Sequence, residues 1–306
     1  MNTYERARQF VFRNARPLDY MRWKFFFEGG SPENVADLLA SYQNADGGFG
    51  HGLEADCLNP GSSPIQTWSA TMILREIGLY DPKHPIVAGV IRYLDSGAHF
   101  DGHCWAATVP GNDAYPHAPW WSYRPQEPCE RNYNPTASLA GYLLRSASPD
   151  SHAHALARRI ALEACEYYMS SAAEPEMHLL PCFMGLCRDV RAVEPELLDT
   201  ERMWERLRTD VRRCLEADAG RWNGEYCALP SDFITGKADP MLSGLEALAK
   251  RECAWIEESQ LESGAWPVCW RWSDYPDDYA VSANRWQSTL TLAIRKMLFF
   301  KEMGAM

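Results

Sequence analysis

One pattern constrains this chain more than any other: two segments share an unusual turn at the end of an amphipathic helix. The first runs Leu38-Leu39-Ala40-Ser41-Tyr42-Gln43-Asn44-Ala45-Asp46-Gly47-Gly48-Phe49. The second runs Trp255-Ile256-Glu257-Glu258-Ser259-Gln260-Leu261-Glu262-Ser263-Gly264-Ala265-Trp266. Each has two apolar residues, then Gln after three intervening residues, Gly after three more, and an aromatic two positions beyond the Gly. Weaker copies begin at Tyr93-Leu94-Asp95 and Cys214-Leu215-Glu216, ending in Phe100 and Trp222; the anchors 43, 95, 218 and 260 lie 52, 123 and 42 residues apart. The middle gap suits two units of roughly 50 to 60 residues, the size of a helical hairpin and its loop. The physics is that of a scaffold: Gly favours a left-handed helix stop, the aromatic folds back, and the Gln amide reaches an adjacent helix end. A unit of this kind cannot bury its apolar face alone, so copies must stack or close into a ring.

The remaining pattern is helical. Apolar residues recur at helical spacing over 33–42, 65–79, 85–94, 135–145, 152–169, 177–190, 195–215, 240–259 and 282–301, and the first 28 residues suit two short helices. Ser31-Pro32, Asp81-Pro82, Asn134-Pro135 and Asp239-Pro240 read as helix starts. No strand alternation competes with them. The long connections 44–64, 96–134, 218–239 and 261–281 are rich in Gly, Pro, Trp and acids. Loops of that length in a compact domain usually carry function.

The strong copies resemble the QW repeat of squalene-hopene and oxidosqualene cyclases. The stretch from Gln43 to Gly52, followed by Ser63-Pro64-Ile65-Gln66-Thr67-Trp68, also resembles the repeat of protein prenyltransferase β subunits. The resemblance implies an all-α fold, an α/α toroid of about five to six helical hairpins forming a single domain over residues 1–306. The family's chemical motifs do not carry over. The nearest match to the cyclase Asp-x-Asp-Asp acid is Asp274-Tyr275-Pro276-Asp277-Asp278, one residue too long, and no His follows His178 to complete the transferase zinc triplet.

Bulk properties limit the partners. The formal net charge of −11, with no basic stripe, argues against nucleic acid and anionic membranes. It is compatible with a small neutral or cationic ligand, with an anionic one met by a few local Arg residues, or with a protein partner, and equally with solubility alone. No apolar run reaches the roughly 20 residues of a membrane span, and the first residues do not read as a secretion signal. Ten irregularly spaced cysteines without a C-x-x-C pair read as free thiols of a reducing cytoplasm.

Three loops offer chemistry. His51, Glu54 and Asp56 suit acid–base work or a divalent metal, or a polar loop closed by its own hydrogen bonds. Trp105, Trp120 and Trp121, on a loop with Asp101, His103, Asp113 and His117, suit the wall of an apolar or sugar-stacking pocket, as Trp68 does on the neighbouring helix; they equally suit packing. Asp277 and Asp278 among Trp270, Trp272, Arg285 and Trp286 suit a buried protonating acid or solvated turn residues. Trp222 with Glu225, Asp232 and Asp239 is a fourth, sparser group. No organic-cofactor motif is present. Three functions follow as expectations: acid-initiated cyclisation or prenyl transfer on an isoprenoid-like substrate, carbohydrate hydrolysis or lysis in an acidic Trp-lined cleft, and peptide or protein binding without catalysis.

Overall fold

Each helix begins where the local chemistry favours a start. Asn2 opens α1 (Thr3–Asn14) through a reciprocal capping box with Glu5, and Ser63 Oγ accepts the Gln66 N–H at the head of α4 (Pro64–Glu76). Proline at the first turn, which sacrifices no helical hydrogen bond, opens α2 (Pro17–Phe27), α3 (Pro32–Ala40) and α5 (Pro85–Asp95). Then follow α6 (Thr136–Ser146), α7 (His152–Met169), α8 (Leu179–Val193), α9 (Thr200–Asp218), α10 (Glu246–Glu258), α11 (Pro276–Ser288) and α12 (Arg295–Glu302), with a π-helical turn at Leu290–Ile294. This is a computed structural model, and it describes residues 1–125, 127, 131–170, 173–222, 224–272, 276–288 and 290–306. Among them the chain is all-helical, with isolated β-bridges and no strand.

Three helix starts differ from the periodicity by five or six residues. Residues 195–199 form a turn before α9. Asp239-Pro240 opens only a short 3-10 turn, Pro240–Leu242, because Gly244 then takes a left-handed φ of 78° and α10 starts at Glu246. The last long helix starts at Pro276, not at 282, because Pro followed by two acids is a helix start: the acids face the positive end of the helix dipole.

The described residues form two compact units, one of 39–211 and one of 1–38 with 212–306. In the first, α6 is central: every residue but Arg145 is buried, and it packs against α7 and α8. Gly141 permits the α6–α8 approach, since a Cβ there would meet Asp189 Oδ2 at 2.9 Å. A charge network centred on the buried Asp189 fixes the register. Asp189 of α8 accepts from Arg75 of α4 at 2.7 Å and from Arg145 of α6 at 3.5 Å, while Arg75 also donates to Ser138 O at 2.6 Å. Arg75 and Arg145 lie over the rings of Tyr142 and Tyr80. In the other unit α1 packs on α2 and α11, and α10 on α12. Tyr4 stacks on the buried Trp23, and buried Asp19 is paired with Arg16 and Arg22.

Each unit holds one strong copy of the repeated turn, and the two are built alike. Gln43 Nε2 donates to Gly47 O (2.9 Å) and to Ile86 O in the first turn of α5 (2.9 Å). Gln260 Nε2 donates to Gly264 O (2.9 Å) and to Thr3 O in the first turn of α1 (3.0 Å). Asn44 N bonds Gly48 O and Gly47 N bonds Asn44 O; Leu261 N bonds Ala265 O and Gly264 N bonds Leu261 O. The glycine φ angles are 94° and 93°. A Cβ on Gly47 would lie 2.1 Å from Gly89 O, and one on Gly264 2.2 Å from Arg6 O. The glycine therefore does not end the helix, as its spacing suggested: α3 stops at Ala40 and α10 at Glu258. It reverses the loop and leaves room for a neighbouring helix carbonyl. The aromatics Phe49 and Trp266 are both fully buried.

The weaker copies keep less of this. Asp95 Oδ1 meets His152 Nδ1 at the start of α7 (2.7 Å). Among the described residues Asp218 bonds locally, to Arg221 and Ala228.

Gly47→Ala and Gly264→Ala combine a left-handed backbone with a backbone clash. Each is expected to lower stability by about 3 kcal/mol in urea unfolding. Gly78→Ala, with open space around its Cβ position, is expected to lose only about 1 kcal/mol.

Candidate functional site

The loop between α3 and α4 is sewn to the head of α4 by side chains rather than by secondary structure. Gln66 accepts the Leu53 N–H (2.9 Å) and donates to Asn59 O (2.9 Å). Thr67 Oγ1 accepts the Phe49 N–H (3.1 Å), and Asn44 Nδ2 reaches Pro60 O and Ser62 Oγ. This polar frame holds Glu54 and Asp56 inward: they are 7% and 2% exposed.

A second loop locks onto the first. Leu58 N donates to Pro116 O, Ala118 N to Asp56 O, and Asn59 Nδ2 to Asn112 Oδ1 (2.9 Å). Asn112 Nδ2 in turn holds Trp121 O (2.9 Å). The indole N–H of Trp121 then donates to Asp56 Oδ1 at 2.6 Å. Glu54 Oε2 lies 2.9 Å from Ser69 Oγ on α4. Two loops far apart in sequence thus converge on two buried carboxyl groups. Cys57, next to Asp56 in the chain, is fully buried, and burial pushes its thiol up to about 12, away from the thiolate a nucleophile needs.

The other sequence candidates take varied places. His51 is exposed, with a left-handed φ of 59°, and its Nε2 meets Asn44 Oδ1 at 2.9 Å. It closes its own loop instead of joining the two acids. Trp68 is half-buried beside Ser69, and its buried indole nitrogen has no hydrogen-bond partner among the described residues. Trp105 is fully buried against Phe100, with its backbone held by Thr136, so it is core. Trp120 is exposed. Around these, Asp101 pairs with Arg131, His103 meets Glu163, and His117 bridges Tyr115 O and Ser122 Oγ. No known family model, curated protein or solved structure matches the chain.

The third loop lies in the other unit, and Asp274 and Tyr275 fall outside the described residues. Asp277 and Asp278 occupy the first turn of α11, Asp277 exposed and Asp278 half-buried. The burial on which a protonating role for Asp277 depends is therefore absent. Trp270 and Trp286 meet edge to face at 5.5 Å, Trp272 meets Tyr279 at 4.7 Å, and Arg285 is half-buried. In the fourth group Asp232 pairs with Arg295 and Asp239 caps Met241 N. Among the described residues no group of three or more His, Cys, Asp and Glu side chains is placed to hold a metal ion.

One titratable cluster gave no motif. Glu252 of α10 and Lys296 of α12 are 0% and 1% exposed. Glu252 takes both Ser231 N (2.8 Å) and Ser231 Oγ (2.6 Å), and Lys296 Nζ lies 4.2 Å from the Trp255 ring centroid. Burial outweighs the nearby Lys296 and pushes Glu252 up to about 7; burial also brings Lys296 down to about 8.

The pair makes stability pH-dependent. Glu252 holds its proton more tightly when folded, so its contribution is complete below about 4.5 and is lost as pH rises through about 7. Lys296 holds its proton less tightly when folded. Its contribution is complete above about 10.5 and is lost as pH falls through about 8. The pair is thus least favourable between about pH 7 and 8. Relative to the unaltered chain, Glu252→Gln is expected to flatten the melting temperature between about pH 5 and 7, and Lys296→Met between about pH 8 and 10. Melting curves across pH that keep the same slope in both variants would contradict this.

Proposed function

We propose that the chain is an α/α-toroid enzyme acting on an apolar, isoprenoid-like small molecule by acid-initiated cyclisation or prenyl transfer, with Glu54 and Asp56 as its acid–base pair. The observation that carries this reading is a pair of buried carboxyl groups, one tied at 2.6 Å to the Trp121 indole. Carboxyl groups withdrawn from water among indoles suit proton delivery to an unreactive hydrocarbon, and indole faces favour the cation that forms. The toroid reading draws support from the twin Gln–Gly turns, since Gln260 docks onto the chain's own first helix. Free thiols at every described cysteine suit a reducing compartment such as the cytoplasm. His51, Asp277, Asp278 and the aromatics Trp270, Trp272 and Trp286 are secondary in this proposal.

One observation favours a carbohydrate instead. Tyr115, Trp120 and Tyr123 are all exposed on the segment that delivers Trp121 to Asp56. Aromatic rings beside a carboxyl pair suit stacking on sugar faces.

Glu54→Gln and Asp56→Asn are expected to lower turnover by about 10²-fold or more while the far-ultraviolet circular dichroism stays unchanged. Thermal melts against prenyl diphosphates, squalene-like hydrocarbons and oligosaccharides identify the substrate class. A ligand at 100 times its Kd adds about 2.7 kcal/mol to the folded state. A shift with isoprenoids alone supports the first reading, a shift with saccharides alone replaces it with the second, and no shift with any of them overturns both.

A further inference from the structure

We propose that Ser122 and His117 form a second reactive centre, a serine nucleophile with its imidazole base, that takes the acyl group of a small carboxylic ester. The centre is independent of the roles proposed for Glu54 and Asp56.

His117 is held through its backbone and at both ring nitrogens. Leu58 N donates to Pro116 O and Ala118 N to Asp56 O, so the residues on either side of His117 are pinned to the first loop. Its side chain is 9% exposed. Nδ1 lies 2.7 Å from Tyr115 O, and Nε2 lies 3.0 Å from Ser122 Oγ. A backbone carbonyl only accepts, so Nδ1 carries the hydrogen. The neutral ring then keeps its lone pair on Nε2, and the Ser122 hydroxyl donates to it. An activated serine needs these parts: a base against the hydroxyl, and a fixed acceptor behind the base that sets its tautomer. Asp113 Oδ1 lies 3.8 Å from Nε2. A carboxylate there favours the imidazolium that forms when the serine gives up its proton.

The loop has other bonds to close it. Asn112 Nδ2 holds Trp121 O (2.9 Å), Asp113 Oδ1 accepts the Tyr123 N–H (2.8 Å), and Thr108 Oγ1 accepts the Arg124 N–H (3.3 Å). Access also suits a nucleophile. Trp121 turns its indole to Asp56, whereas Ser122, next in the chain, is exposed. Tyr115, Trp120 and Tyr123 are exposed on the same segment and offer their rings to an alkyl or aryl ester.

The chemistry balances without a cofactor. The Ser122 oxygen bonds to the ester carbonyl carbon while its proton passes to His117 Nε2, and the carbonyl electron pair moves onto oxygen. When that pair returns, the bond to the alkoxy oxygen breaks and the alcohol leaves with the proton from Nε2. Water repeats the sequence on the acyl-serine, which releases the carboxylic acid and restores both side chains.

An alkyl fluorophosphonate probes the nucleophile directly: the serine oxygen bonds to phosphorus and fluoride leaves. Peptide mass mapping of the treated full chain is expected to find the label on Ser122. In His117→Gln the labelling rate is expected to fall by about 10²-fold or more. Hydrolysis of p-nitrophenyl acetate is expected to be lost in Ser122→Ala while its melting stays unchanged. A merely structural contact would alter melting and leave the serine unlabelled. Should His117→Gln not fold, Ser122→Cys keeps the base beside a thiol. That thiol is expected to react with iodoacetamide roughly tenfold faster in the folded chain than in urea. Absence of label on Ser122, an unchanged rate in His117→Gln, or a thiol at position 122 that reacts no faster folded than unfolded overturns the proposal.

Discussion

The amide of Gln43 spends its two N–H groups on two carbonyls, one in its own loop and one in the first turn of a helix 43 residues further on. That contact joins the loop's shape to its address. The Gly47 carbonyl is held only when the loop has turned back, and the Ile86 carbonyl only when the turn lies against α5. The same amide recurs at Gln260, whose address is the first helix of the chain. Once Gln43 has fixed the start of the 44–63 loop, Asn44, Gln66 and Thr67 fasten the rest of it. Glu54 and Asp56 are then carried below the surface without a regular element around them.

Much of this fold was legible because scaffold features repeat locally. The spacing Gln, Gly, aromatic appears twice in the sequence, and it appears twice in the structure with matching hydrogen bonds. Helix existence was legible from apolar spacing for the same reason. The boundaries were less so. Pro276-Asp277-Asp278 reads equally as a solvated turn and as a helix start, and only the continuing helix after it decides between them. Gly244 separates a short 3-10 turn from α10, which a periodicity window averages away. The glycine of the repeat was assigned to stopping a helix, whereas what it provides is space for a carbonyl of another helix, a long-range property that no local pattern encodes.

The site divides in the same manner. That 51–56 is a polar loop was readable from residue types alone. That Asp56 would pair with Trp121 was not, because the contact spans 65 positions and depends on Asn112 joining the two loops. His51, adjacent in sequence, turns outward through its left-handed backbone and bonds Asn44. Trp105 belongs to the core although it sits among loop residues, because Thr136 and Phe100 take it in. Glu252 and Lys296 were silent in the sequence for the opposite reason. A Glu and a Lys inside helices are ordinary surface residues until packing buries both, and burial alone changes what their charges mean.

Equilibrium urea unfolding of Gln43→Ala and Gln260→Ala tests the central claim most directly. Each variant leaves two carbonyls without their side-chain donor. The expected result is a loss of about 2 kcal/mol for each, with the two losses adding in the double variant because the turns share no partner. Stabilities within about 0.5 kcal/mol of the unaltered chain in both single variants, the range of an ordinary surface substitution, would contradict it.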